Sequence, residues 1–112
     1  MRSSEHNHKF VVETPNLVYP PREDTLLLAS CIPEPKNGLE KALEIGSGSG
    51  FLSMTLAEKG WNVTSIDVNP YAVAATKSNS MRNGYVDIHC IEGSFDEIEH
   101  LQDELFDLVV WN

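Results

Sequence analysis

Basic side chains are scarce in this sequence, cysteine occurs twice, and no apolar run reaches the roughly eighteen residues of a membrane-spanning helix. Eight Lys and Arg stand against seventeen Asp and Glu, a formal net charge of −9, and acids crowd between Glu92 and Asp107. Such a surface repels a phosphate backbone, which argues against a nucleic-acid partner, and most of the charge reads as a solvated face. Cys31 and Cys90 are far apart without metal-ligand spacing, so they read as buried, reduced core thiols and no metal site is expected. Met1 to Lys9 has no hydrophobic signal core, which fits a cytoplasmic location. The His6-x-His8 pair lies in a polar arm best read as disordered, and His89 and His100 have no evident partner.

What is present reads as alternating strands and helices. Residues 1–18 form an N-terminal arm, and one incomplete domain spans 19–112. Glu23 and Asp24 suit the first turn of a helix that Pro33 and Pro35 stop. Ala42 to Ile45 is a short buried strand; Gly50 to Lys59 is a helix with Leu52, Leu56 and Met54 toward the sheet and Gly60 as C-terminal cap. Trp61 to Ile66 is a second strand. Asn69-Pro70 supplies N-cap and first helical residue for a helix ending at Arg82, before Asn83-Gly84. Val86 to Ile91 is a third strand, Phe95 to Asp103 a short helix or turn, and Leu105 to Trp111 a fourth strand. The pattern predicts an α/β fold, a doubly wound parallel sheet with strand order 3-2-1-4.

The segment from Ala42 to Asp67 carries the chemistry. It runs strand, Gly46-Ser47-Gly48-Ser49-Gly50, helix, strand, acid, a geometry that places glycine turn and acid at one sheet edge, where adenosine-containing ligands bind. A dinucleotide fingerprint requires a glycine or alanine where this chain has Phe51. Glu44, two residues before Gly46, repels a pyrophosphate but suits a cationic ligand such as S-adenosylmethionine, with its sulfonium and ammonium. Asp67, 21 residues beyond Gly46, is placed to accept both ribose hydroxyls. The carboxylates of Glu44 and Asp67 are therefore expected to flank one notch. The plainer reading is a turn joining strand to helix and a solvated strand end; the two acids in register favour the cofactor.

The segments Tyr19-Pro20-Pro21-Arg22-Glu23-Asp24-Thr25, Leu43-Glu44-Ile45-Gly46-Ser47-Gly48-Ser49-Gly50, Asp67-x-Asn69-Pro70 and Phe106-Asp107-Leu108-Val109-Val110-Trp111-Asn112 resemble the HemK-related class I methyltransferases. Within that group they are most similar to the archaeal and eukaryotic branch that methylates a glutamine side chain of translation termination factors. The resemblance implies the Rossmann-like class I methyltransferase fold, S-adenosylmethionine as cofactor, Thr25 closing over its methionine end, Glu44 and Gly46 at its amino-acid part, Gly48 and Gly50 in the loop, and Asp67 on the ribose. Where the family often has an aspartate for adenine and an apolar ring cover, this chain has Ser94 and Phe95, with Asp96 nearby.

The resemblance also implies a catalytic Asn-Pro-Pro-Tyr signature after the fourth strand, of which Asn112 is the first letter and the last residue here. Its oxygen and the next carbonyl would accept the amide hydrogens of the substrate glutamine. The alternatives are an exocyclic amino group of a nucleic-acid base as substrate, which the acidic charge disfavours, or a non-catalytic module that binds cofactor or partner. The branch implies a small zinc-binding activator protein. As a fragment the chain is expected to be inactive, with one face of the sheet largely uncovered and a tendency to self-associate through its exposed fourth strand.

Overall fold

The computed structural model describes residues 2–7, 10–15, 17, 18, 21 and 23–111. His8, Tyr19, Pro20, Arg22 and Asn112 lie outside the described residues. The order of elements is β1 (Arg2–Asn7), β2 (Phe10–Pro15), α1 (Glu23–Cys31), β3 (Lys41–Ile45), α2 (Phe51–Glu58), β4 (Asn62–Asp67), α3 (Pro70–Arg82), β5 (His89–Glu92), a 3-10 turn (Phe95–Glu97), α4 (Glu99–Gln102) and β6 (Leu108–Trp111). The sheet runs β5-β4-β3-β6 and is parallel at every pairing. Counted from β3, this is the order 3-2-1-4 predicted from sequence.

The helix ends are specified locally. Asn69 Oδ1 accepts the Tyr71 N–H at 2.9 Å, and Pro70 follows at the first helical position. At the far end Tyr85 N–H donates to the Ser80 carbonyl at 2.8 Å and Gly84 N–H to that of Met81 at 3.1 Å, with Gly84 at φ 87°. That is a Schellman ending, and α2 ends the same way through Gly60 and Trp61. α1 ends at Cys31 before the prolines, and the Trp61 indole N–H fastens the following loop by donating to the Pro33 carbonyl at 2.9 Å.

Alternation along the strands divides the core. Ala42, Val63 and Val110 face one layer, packed with Phe51, Leu52, Met54 and Leu56 of α2. Leu43 and Ile66 face the other and are buried by Leu101 of α4, with Phe95, Ile98 and Phe106 against them. This second face is thus better covered than the sequence led us to expect, because the segment between β5 and β6 folds back over it. α2 is buried on nearly every side, from Phe51 through Leu56, because more than the sheet covers it.

That further layer is the expected arm. β1 and β2 pair antiparallel, Phe10 and Val12 enter the core, and Phe10 meets Phe51 and Tyr85 edge-to-face with centroids 5.7 Å apart. Every second residue of β2 is buried, the pattern of a strand with one face on a core. The expectation of a disordered arm is therefore corrected for these residues. Cys31 is exposed and Cys90 half-buried, both as free thiols, so Cys31 is not the core residue predicted. Among the described residues no helix is long and apolar enough to cross a membrane.

Candidate functional site

In a doubly wound sheet ligands lie beyond the carboxyl ends of the strands, where the chain reverses its direction of winding. Here that point is β3, with β4 on one side and β6 on the other. A cleft of about 410 Å³ opens there. Ile45 and Gly46 reach it from β3, Ile66 and Asp67 from β4, Gly93 to Asp96 from the segment after β5, and Trp111 from the end of β6. Apolar walls with two carboxylates are the lining that a nucleoside ligand needs: planar surface for a base, acceptors for hydroxyls.

Hydrogen bonds hold the glycine loop in shape from three directions. Gly46 and Ser47 N–H both donate to the Ile66 carbonyl, at 2.9 and 3.2 Å. Gly48 N–H donates to Asp67 Oδ2 at 3.1 Å, and the Thr76 hydroxyl donates to the Gly48 carbonyl at 3.1 Å. Gly50, at φ 93°, precedes α2, and a Cβ there would stand 3.0 Å from the Thr76 Cα. Only glycine admits that backbone and that approach together.

Asp67 is on the cleft wall with Oδ1 accepting the Asn69 N–H at 2.9 Å, which leaves lone pairs on both oxygens for a ligand. Glu44 is placed differently. It is 0% exposed and lies behind the cleft rather than on its wall, on the α2 side of the sheet. The Ser53 hydroxyl donates to its Oε1, and Ser53 also bonds Ser65 of β4. Oε2 is buried without a hydrogen-bond partner. Burial above all, opposed by the Ser53 bonds and reinforced by the negative charge of Asp67, pushes the Glu44 carboxyl up to about 8.

Of the other residues singled out from sequence, Ser94 and Phe95 line the cleft with Asp67. The Ser94 hydroxyl donates to Glu97 Oε1 at 2.6 Å. Phe95 serves core and cleft at once. Thr25 is buried in the first turn of α1, its N–H on Asp24 Oδ1 at 3.0 Å, and is not on the cleft wall. Asn112, the expected catalytic residue, lies outside the described residues; its neighbour Trp111 does line the cleft. Sequence reasoning missed Trp111 as cleft lining, Ser53 as the partner of Glu44 with Ser65 behind it, and Gly93, whose N–H meets the Asp67 carbonyl at 2.9 Å with φ 137°. A signal for Trp111 existed: in a parallel sheet the residue opposite Ile45 ends beside the glycine loop.

Residues 43–112 match the sequence profile of the methyltransferase domain. This chain belongs to the methyltransferase domain family. Its fold is the Rossmann-like one of S-adenosylmethionine-dependent methyltransferases. A putative protein N5-glutamine methyltransferase of Methanocaldococcus jannaschii is 38% identical over 96 residues, which is 85% of this chain and 46% of the relative. A release factor glutamine methyltransferase of Shewanella oneidensis is 29% identical over 106 residues, 92% of this chain and 36% of the relative. Among solved structures, a precorrin 8w decarboxylase of Methanobacterium thermoautotrophicum superposes with a TM-score of 0.72 at 28% identity, covering 88% of this chain and 53% of that one. The chain thus spans less than half the length of either curated methyltransferase relative.

Proposed function

We propose that this methyltransferase domain holds S-adenosylmethionine for methyl transfer to the side-chain amide nitrogen of a glutamine in a translation termination factor. The observation that carries the cofactor half is Asp67: one carboxylate both braces the glycine loop through Gly48 and faces an apolar cleft at the winding reversal. The unpartnered Oε2 of Glu44, buried beside that loop, fits a cationic ligand group that brings its own compensation. The glutamine half is supported by the names of two relatives and by Trp111, the last residue of β6, which lines the cleft and precedes Asn112 in the sequence.

On this reading Asp67 accepts the ribose hydroxyls, the walls of Ile66, Val68 and Phe95 exclude water from the base, and Glu44 offers a counter-charge to the amino-acid ammonium. Bound S-adenosylmethionine supplies an electrophilic methyl on a sulfonium. Asn112 has a side-chain oxygen that accepts an amide hydrogen of the substrate, orienting a nitrogen whose lone pair is otherwise delocalised. The nitrogen gains a methyl and releases one proton, and an acceptor at that position favours the positive charge that develops there. A small zinc-binding activator protein belongs to the same proposal, with the exposed apolar side chains of β6 as its support.

Calorimetric titration with S-adenosylhomocysteine, in parallel with Asp67→Ala, tests the cofactor half, which fails if the unsubstituted chain does not bind. Methyl transfer to a glutamine-containing termination-factor peptide, against a DNA oligonucleotide, tests the substrate half. Labelling of the oligonucleotide alone would overturn it.

A further inference from the structure

Two asparagines, Asn79 within α3 and Asn83 at its C-cap, do something the site described above does not require. Asn79 Oδ1 accepts the Glu13 N–H at 3.0 Å and Asn79 Nδ2 donates to the Glu13 carbonyl at 2.9 Å. One helical turn on, Asn83 repeats this with Val11, accepting its N–H at 3.1 Å and donating to its carbonyl at 2.9 Å. The match is geometric: four helical residues rise about 6 Å and two strand residues about 6.7 Å, so amides at i and i+4 stand opposite alternate residues of a strand. The side chains act as a substitute strand along the edge of β2, and the Arg82–Glu13 ion pair adds a charged contact beside it.

The two differ in where the second amide hydrogen goes: that of Asn83 turns back to the Asn79 carbonyl at 2.8 Å, whereas that of Asn79 goes to the Ser49 carbonyl at 2.8 Å, inside the glycine loop. Asn79 is 1% exposed, with each polar hydrogen and its oxygen engaged. Loop and hairpin therefore meet on a single amide, and the same face of α3 bonds Gly48 through Thr76. We propose that Asn79 is a positioning residue that couples docking of the β1–β2 hairpin to the shape of the glycine loop, so that cofactor binding and hairpin docking favour each other. This rests on the cofactor reading above. Coupling of this kind is reciprocal: whatever the docked hairpin adds to cofactor affinity, the cofactor returns as hairpin order.

The test is hydrogen exchange at the Val11 amide, whose acceptor is Asn83 rather than Asn79, with and without saturating S-adenosylhomocysteine. In the unsubstituted chain the ligand should slow Val11 exchange on the order of fivefold or more. In Asn79→Ala that effect should vanish and affinity should fall on the order of tenfold, whereas in Asn83→Ala the ligand should still slow exchange at Glu13. Should Asn79→Ala not fold, the measurement on the unsubstituted chain still decides. Binding without any change at Val11 overturns the coupling and leaves the cofactor reading standing. Absence of binding overturns both.

Discussion

Gly48 N–H lies 3.1 Å from Asp67 Oδ2, so the acid that ends β4 is a structural member of the loop that follows β3. A carboxylate in that position has two tasks. It closes a backbone donor that would otherwise be left in a turn without a partner, and it turns its remaining lone pairs to the cleft. The separation of 19 residues in sequence is spanned by one helix and one strand, the length of a parallel crossover.

Asp67→Ala should accordingly lower affinity for S-adenosylhomocysteine by on the order of a hundredfold, the loss of two hydrogen bonds to a charged acceptor at roughly 1.5 kcal/mol each. The same substitution should cost about 1 kcal/mol of folding stability through the lost Gly48 bond. Titration calorimetry and urea unfolding measure the two separately. Asp67→Asn, which can still accept through one oxygen, should fall between.

Gly50→Ala should destabilise by about 2–3 kcal/mol, because the new methyl meets the Thr76 backbone at 3.0 Å and the residue is held at φ 93°. The control is Gly38→Ala, where nothing lies within 4 Å of the added carbon and no left-handed φ is required. Its stability should lie within ~0.5 kcal/mol of the parent in urea unfolding. Equal effects at both sites would remove the argument that α3 is fitted closely to the loop.

The order of the sheet, both ends of α3, and the meeting of Gly46 and Asp67 at one sheet edge were legible in the sequence, whereas Ser94 and Phe95 were reached only through the family resemblance. Each of the first three is written in short-range signals: apolar runs of strand length, Asn-Pro and Asn-Gly punctuation, glycines before a helix. The hairpin was not legible, because a strand such as Phe10–Pro15 announces itself only by what it packs on, here Phe51 and Tyr85. Nor was the orientation of Glu44. Strand alternation sends the side chain at 44 to the same face as Ala42, toward α2, and the hydroxyl that receives it is that of Ser53, itself bonded to Ser65, roles that no spacing rule marks.

β6 bonds to β3 along one edge, and among the described residues no strand pairs with its other edge. Val109 is 52% and Trp111 74% exposed beside it. An apolar strand with a free backbone edge is a template for pairing, and this supports the expectation that copies of the chain associate there. Val109→Lys should shift sedimentation toward monomer without changing the thermal transition by more than a few degrees, since the side chain is half exposed. A parent chain that sediments as a monomer at high concentration contradicts the expectation.

The Glu44 carboxyl sets the pH response. In the folded chain it holds its proton up to about 8, and in the unfolded chain it loses it near the ordinary value of 4.5. Between those limits the folded state binds more protons than the unfolded one, so stability contributed by this group is fully present below 4.5 and is lost as pH rises toward 8. Glu44→Gln, which keeps the shape and needs no proton, should flatten the fall in melting temperature across that window. Ligand binding adds a second sign. An ammonium near Oε2 favours the ionised form, so S-adenosylhomocysteine should release protons when it binds at neutral pH, and calorimetry in two buffers of different ionisation enthalpy should show it. Binding that takes up protons instead, or that is unchanged in Glu44→Gln, would place the ligand's charge elsewhere.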